Sequence, residues 1–293
     1  MYHYQRNLVE KIGYILIISA MVLLSLSFIY PILYTLSMSV SDAKQLGPRN
    51  IKILPVGFTL QSYQYLLSDG RILRYYLNTI LYASTGTMVS LLLTSMIAYS
   101  LSISTFSGKR VMTVYLLITM FFSGGMIASY LLMIKLDLID TLWIMILPGV
   151  SAWSVIIYKT FFNQLPQSLK ESARIDGASH IRVLFTIVIP LSKALLATMA
   201  LFSIVGHWNS YLQALIYLRN TDLHPIQMLL RKLLIIFDYK DMQFMTQEQR
   251  LLLTSSRTVK SAAIIITIAP ILSVYPFMQK HFAKGILVGS LKG

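Results

Sequence analysis

Apolar residues run through this chain in stretches far longer than a soluble core requires, and acidic and basic residues are confined to short clusters between them. Six windows are free or nearly free of Asp, Glu, Lys and Arg. They lie between Lys11 and Asp42, Arg74 and Lys109, Arg110 and Lys135, Asp140 and Lys159, Arg182 and Arg219 (interrupted only by Lys193), and Lys260 and Lys280. A helix needs ~20 largely apolar residues to cross about 30 Å of hydrocarbon. The pattern therefore predicts an all-α integral membrane protein with six transmembrane helices, at roughly 12–40, 77–103, 111–134, 141–162, 188–216 and 260–279. The fourth is the shortest and needs Lys159 at the interface. Pro148, Pro270 and Pro276 fall inside spans and predict kinks, because proline removes a backbone donor. The first window is too long for a signal-peptide core, and no small-residue cleavage site is evident. No internal repeat divides the chain, so 1–293 reads as one transmembrane domain.

Composition sharpens this picture. Of 293 residues, 56% are hydrophobic and 12% charged, against about a quarter charged in soluble domains. The net charge of +14 does not imply nucleic acid, since the basic residues do not gather on one solvated face. They sit between apolar spans, as anchors at an anionic lipid bilayer do. Six spans place both termini on one side. About half of the 25 Lys and Arg fall on each side, but the short loop with Lys109 and Arg110 favours the inside, so N-in and C-in is expected. In the long loop after Arg219, Pro225 can start a helix with Ile226, Leu229, Leu230, Leu233 and Leu234 at helical spacing. That stripe suits a helix covering its own bundle or a docking surface for an external partner.

The most densely patterned segment lies after the fourth window and reads LPQSLKESARIDGASHIRVLFTIVIP. Pro166, then Ser168 and Glu171 at capping-box spacing, predict a short helix. Asp176-Gly177 ends it, and an apolar-rich stretch from Ile181 to Ile189 leads to Pro190 at the start of the fifth span. The expected unit is a helix, a turn and a helix at the membrane surface.

Glu171-Ser172-Ala173, three residues, Gly177, nine residues, Ile187, one residue, Ile189-Pro190 resembles the EAA loop of ABC importer permeases, whose pattern is Glu-Ala-Ala-x3-Gly-x9-Ile-x-Leu-Pro. Ser172 and Ile189 depart from it, each by a small change in volume. The resemblance implies the fold of a type I ABC importer permease and makes 163–190 a cytoplasmic coupling loop. Glu171, Ser172, Ala173, Asp176, Gly177, Ile187 and Pro190 would seat on an ATPase subunit there, with Ala173 and Gly177 permitting close backbone approach. FAKGILVGSLKG resembles the C-terminal tail of maltose-type permeases, which implies a cytoplasmic tail over 280–293 with Lys284, Gly285, Lys292 and Gly293 reaching the ATPases. FSGGMIASYLL, ILPGVSAWSVIIYKTFF and GHWNSYLQALIYL resemble the oligosaccharide branch of the carbohydrate importers, with Ala128 where that branch has proline and Ser154 where it has asparagine.

The family likeness further implies a second homologous permease, two copies of an ABC ATPase, an extracytoplasmic solute-binding protein and a carbohydrate substrate moved by alternating access. The bacterial cytoplasmic membrane is the implied location. ATP and Mg would be bound by the partner subunits, with no cofactor or metal held by this chain. Consistent with that division, Gly108-Lys109 lacks the rest of a P-loop, and no zinc signature or serine elbow gives catalysis a candidate. The absence of cysteine removes thiol chemistry. Trp208, Asn209, Tyr211 and Ser154 are candidates for the substrate path, because rings stack on sugar faces and amides bond hydroxyls. Trp208 and Tyr211 equally suit an interfacial aromatic belt. His207 reads as helix packing, Lys193 as a residue that snorkels to the cytoplasmic edge, and Gly124-Gly125 as either a hinge or a close helix approach.

Overall fold

In hydrocarbon a backbone amide finds no water, so each apolar run must bond to itself, and it does so as helix. The computed structural model describes residues 8–46, 53–68, 70–147, 149–236 and 255–273. Its helices are α1 (Leu8–Ser39), α2 (Gln61–Leu67), α3 (Arg71–Ser102), α4 (Lys109–Phe121), α5 (Gly125–Lys135), α6 (Trp143–Ile146), α7 (Ala152–Gln164), α8 (Gln167–Ile175), α9 (His180–Val183), α10 (Ile189–Leu191), α11 (Lys193–Trp208), α12 (Tyr211–Tyr217) and α13 (Ile226–Ile236). A last helix, α14, covers Ser255–Ser273. The chain divides into one unit of Met1–Asp69 with Lys232–Ile268, and another of Gly70–Arg231 with Ala269–Gly293.

In the first unit α1 is apolar on every side and its span is not buried by the rest of the chain, as expected of a helix that faces lipid or another subunit. After α1 the chain folds back. The Asp42 N–H donates to the Val56 carbonyl at 2.9 Å, and the Thr59 N–H to that of Val40 at 2.9 Å. Ser62 of α2 then donates to Thr258 of α14 at 3.0 Å.

The second unit is organised around α3. Its buried face includes Thr79, Ala83, Gly86, Ser90, Thr94, Ala98 and Tyr99 at helical spacing, and small residues in such a row let neighbouring helices come close. Both α7 and α11 pack along it. One end of the core gathers Ala98, Val155, Tyr158, Phe162 and Val188. The other gathers Tyr82, Ile144, Met145, Ala214 and Leu218.

The windows fold less simply than hydropathy predicts. Among the described residues three helices, α1, α3 and α14, are long and apolar enough to cross a membrane, and up to five spans result if each bent pair counts as one. The third window breaks into α4 and α5, bent by 118°. Gly125 sits there at φ +76, with open space where a Cβ would stand, so the glycine pair serves the turn and not a close approach. The fourth window is not one helix. It splits into α6 and α7, and at ~1.5 Å per residue neither reaches across 30 Å alone. The break passes Gly149, whose carbonyl accepts the Ser90 hydroxyl. The fifth is bent by 86° between Leu191 and Lys193, beyond a π-helical turn at Leu184–Val188. The helix expected after Pro225 is present as α13, with Ile226 and Met228 buried. Pro148 and Pro276 lie outside the described residues.

One contact decides how near α3 and α11 come. A side chain at Gly86 would collide with the His207 ring, and that ring also bonds to the backbone at Met145 and Gly86. Overpacking of this kind costs about 1–3 kcal/mol. Gly86→Leu should therefore lower the thermal midpoint of the purified protein, and adding His207→Ala should recover part of the loss. Equal midpoints for Gly86→Leu and wild type would refute the contact.

Candidate translocation cavity and coupling loop

The second unit holds a half-open cavity of about 210 Å³ between α3, the start of α7 and the middle of α11. Ser90, Thr94, Ser151, Ser154 and Ser203 supply hydroxyls, while Trp153 and Phe202 form an aromatic wall. Ser151 caps α7 by accepting the Ser154 N–H at 3.1 Å, and the two hydroxyls lie 2.8 Å apart. Trp153 is 50% exposed and meets Phe202 edge-on at 6.4 Å. The Thr94 hydroxyl is buried without a hydrogen-bond partner, a costly state unless a guest or water completes it. The lining carries no charged side chain. Hydroxyls with an exposed ring suit a polyhydroxylated surface.

The predicted path residues separate. Ser154 lines this cavity. Trp208 lies at the far end of α11, only 6% exposed, with its ring 6.3 Å from that of Tyr76. Asn209 accepts from Gln227 at 3.0 Å, and Tyr211 is 43% exposed. Trp153, Ser151, Ser203, Phe202 and Thr94 were not anticipated. Ser90 and Thr94, one turn apart in an apolar window, are the signal the sequence offered.

At the Arg71 end of α3 the loop after α12 is clamped. Arg74 pairs with Asp222 at 3.2 Å, Asn78 donates to the Asp222 and His224 carbonyls, and Tyr82 donates to that of Leu223. Asp140, at φ +59, accepts the N–H groups of Arg219 at 2.9 Å and Asn220 at 2.7 Å. Tyr130 stacks on Tyr217 at 6.0 Å.

At the opposite end, α8 begins at Gln167 with Pro166 in the capping position and no side-chain cap. The expected capping box does not form. Ser168 is already the second helical residue, past the position from which its hydroxyl could reach the free N–H groups. Glu171 is exposed. Asp176 closes the helix, the Gly177 N–H donates to the Arg174 carbonyl at 3.1 Å, and the Ala178 N–H reaches the Ala173 carbonyl at 2.9 Å. This is a Schellman turn, which needs a left-handed residue, and Gly177 supplies it at φ +82. Open space surrounds a Cβ placed there, so within this chain the glycine is required by its φ and not by crowding. Ala173, Ile187 and Ile189 pack on the α3–α7 core, Pro190 is exposed, and Ser179 caps α9 by accepting the Arg182 N–H at 3.3 Å. Ile175 projects outward at 86% exposure. Lys193, first residue of α11, is exposed. Lys284, Gly285, Lys292 and Gly293 lie outside the described residues.

A long helical scaffold that holds an uncharged, hydroxyl-lined cavity, with a patterned polar helix-turn-helix at one end, defines a transport permease. The chain belongs to the family of binding-protein-dependent transport system inner membrane components, which it matches over residues 70–288. It is 41% identical over 266 residues to Protein LplC of Bacillus subtilis (strain 168), covering 90% of each chain. It is 37% identical over 281 residues to the polygalacturonan/rhamnogalacturonan transport system permease protein YtcP of the same organism, covering 95% of this chain and 97% of that one. Among solved structures, a bacterial ABC transporter involved in the import of the acidic polysaccharide alginate superposes with a TM-score of 0.85 at 32% identity, covering 94% of this chain and 99% of that one. The fold is that of a type I ABC importer permease.

Because Gly177 is needed for its positive φ, Gly177→Asn should be tolerated and Gly177→Val should not, a left-handed L-residue costing roughly 1–2 kcal/mol. The readout is the thermal midpoint of each purified variant. Equal midpoints for the Val and Asn variants would show that the positive φ at Gly177 is not required.

Proposed function

We propose that this chain is one of two homologous permease subunits of an ATP-driven importer that carries an oligosaccharide into the bacterial cytoplasm by alternating access. The carrying observation is that the coupling loop and the hydroxyl-lined cavity share one packed core, with α7 running between them. The carbohydrate class is supported by that lining and by the polysaccharide solutes named for two of its relatives. Two ABC ATPases bind ATP and Mg, and an extracytoplasmic binding protein delivers the sugar. Residues 163–190 form the cytoplasmic coupling loop and 280–293 the tail between the ATPases, within a single domain that crosses the membrane six times with both termini inside.

On this reading Glu171 and the outward-facing Ile175 meet the ATPase, Glu171 through its charge. Ser154 lies on the sugar path. Trp208, Asn209 and Tyr211 bound that path at the outer end of α11, where Asn209 and Tyr211 are the more accessible.

In the reconstituted transporter, oligosaccharides should stimulate ATP hydrolysis where amino acids and phosphate do not, and stimulation by amino acids alone would end the sugar assignment. Single cysteines in this cysteine-free chain at Leu136 and Thr221 should react with an impermeant reagent in intact cells, whereas those at Ser107 and Ser179 should not. Labelling at Ser179 from outside would reverse the orientation. Glu171→Gln should fold normally yet retain less ATPase, losing a charge-assisted bond worth about 1.5–3 kcal/mol. Full retention would leave Glu171 without a coupling role.

A further inference from the structure

The coupling helix buries a cation. Lys170 is 8% exposed and is the one Lys, Arg, Asp or Glu buried among the described residues. Its Nζ donates to the Phe162 carbonyl at 2.8 Å. Phe162 is fully buried in the last turn of α7, where the final four carbonyls lack intrahelical partners and the helix dipole is negative. The ammonium therefore completes a carbonyl that the fold would otherwise leave unmet, at the helix end that best accepts a positive charge. Burial pushes the Lys170 ammonium below the usual lysine range, as expected where the charge is withdrawn from water.

The placement has a mechanical meaning. Only Leu165 and Pro166 join α7 to α8, and two residues form a pivot about which α8 could swing without moving α7. The bond from Lys170 to Phe162 closes that pivot into a triangle. From there α7 runs 13 residues, about 20 Å at 1.5 Å per residue, with Val155, Tyr158 and Phe162 locked into the core. At its far end Ser151, Trp153 and Ser154 stand at the cavity wall.

We propose that Lys170 is a positioning residue that fastens the coupling helix to α7, so that a displacement of α8 reaches the cavity instead of being lost at the Leu165–Pro166 joint. The inference rests on the transport reading above only in taking α8 as the seat of the ATPase. Ser168, Glu171 and Arg174 share that helix but are exposed, and seating falls to them.

The test compares Lys170→Met, which keeps an apolar stem but has no donor, with Lys170→Arg, which keeps a cationic donor. Both are placed in the assembled transporter with its partner chains, using whichever solute the wild-type complex takes up. That choice separates failure of this inference from failure of the sugar assignment. Three quantities are read: ATPase retained on purification, stimulated hydrolysis, and solute transported per ATP. The Met variant should retain its ATPase and still hydrolyse ATP, while solute transported per ATP falls about tenfold, the scale expected for loss of one hydrogen bond from a charged group. The Arg variant should recover part of that ratio. Wild-type transport per ATP in Lys170→Met would overturn the proposal, as would a loss explained by ATPase detachment, or an Arg variant no better than Met. Should Lys170→Met fail to accumulate, Lys170→Gln, which lacks the reach and the charge, stands in under the same outcomes.

Discussion

The second unit depends on how closely α7 and α11 can approach α3. Gly86, Ser90, Thr94 and Ala98 keep that face of α3 low, and without a solvent-driven force between helices in lipid, close contact is what holds them together. The same choice of small residues limits what the interface can seal. Where α7 begins instead of continuing α6, Gly149 lies so close to α3 that a Cβ there would stand 3.1 Å from that of Ser90. Beside this contact the serines and threonines that gave the helices room become the walls of a cavity. Packing and cavity are thus made from one set of side chains.

Polar groups elsewhere in the unit are spent on fixing loops. Asn78, Tyr82 and Asp140 each bond to backbone in the segment after α12, and a loop held at so many points moves with the helices beneath it. The other end is built differently. There the Schellman turn, the serine cap of α9 and the buried lysine shape a unit whose Glu171, Ile175 and Ser179 stay exposed. One end of the bundle is clamped and the other is presented.

What could be read in the sequence divides along physical lines. Hydropathy located α1, α3 and α14, because a long apolar run has one stable conformation in lipid. It missed the 118° reversal at Gly125 and the split of the fourth window, since a sum over residues carries no direction and local backbone geometry decides each. The EAA spacing located α8 and its turn, yet the Ser168–Glu171 box failed because the helix starts two residues earlier, with Pro166 in the capping position. The cavity was scarcely legible. Its walls come from residues near 90, 151 and 203, and only the folded α3, α7 and α11 show that they meet. Trp208 was conspicuous by residue type and is buried, while Trp153, equally conspicuous, stands at the cavity.

The π-helical turn at Leu184–Val188 has a bearing on chain length. Such a turn holds one residue more than the α-helical turn it replaces, and each residue of an α-helix advances the helix by about 100° of rotation. Deleting one residue there would let the turn relax to regular helix with the segments on either side nearly in register, because the surplus residue is taken up within the turn. The same deletion in a regular helix would rotate one side against the other by about 100°. The surplus residue is therefore absorbed within Leu184–Val188 and leaves the facing of the helical residues just before and just after it unchanged. This stretch can lose one residue with less disturbance than the regular helices α3 and α7, whose faces a deletion would turn.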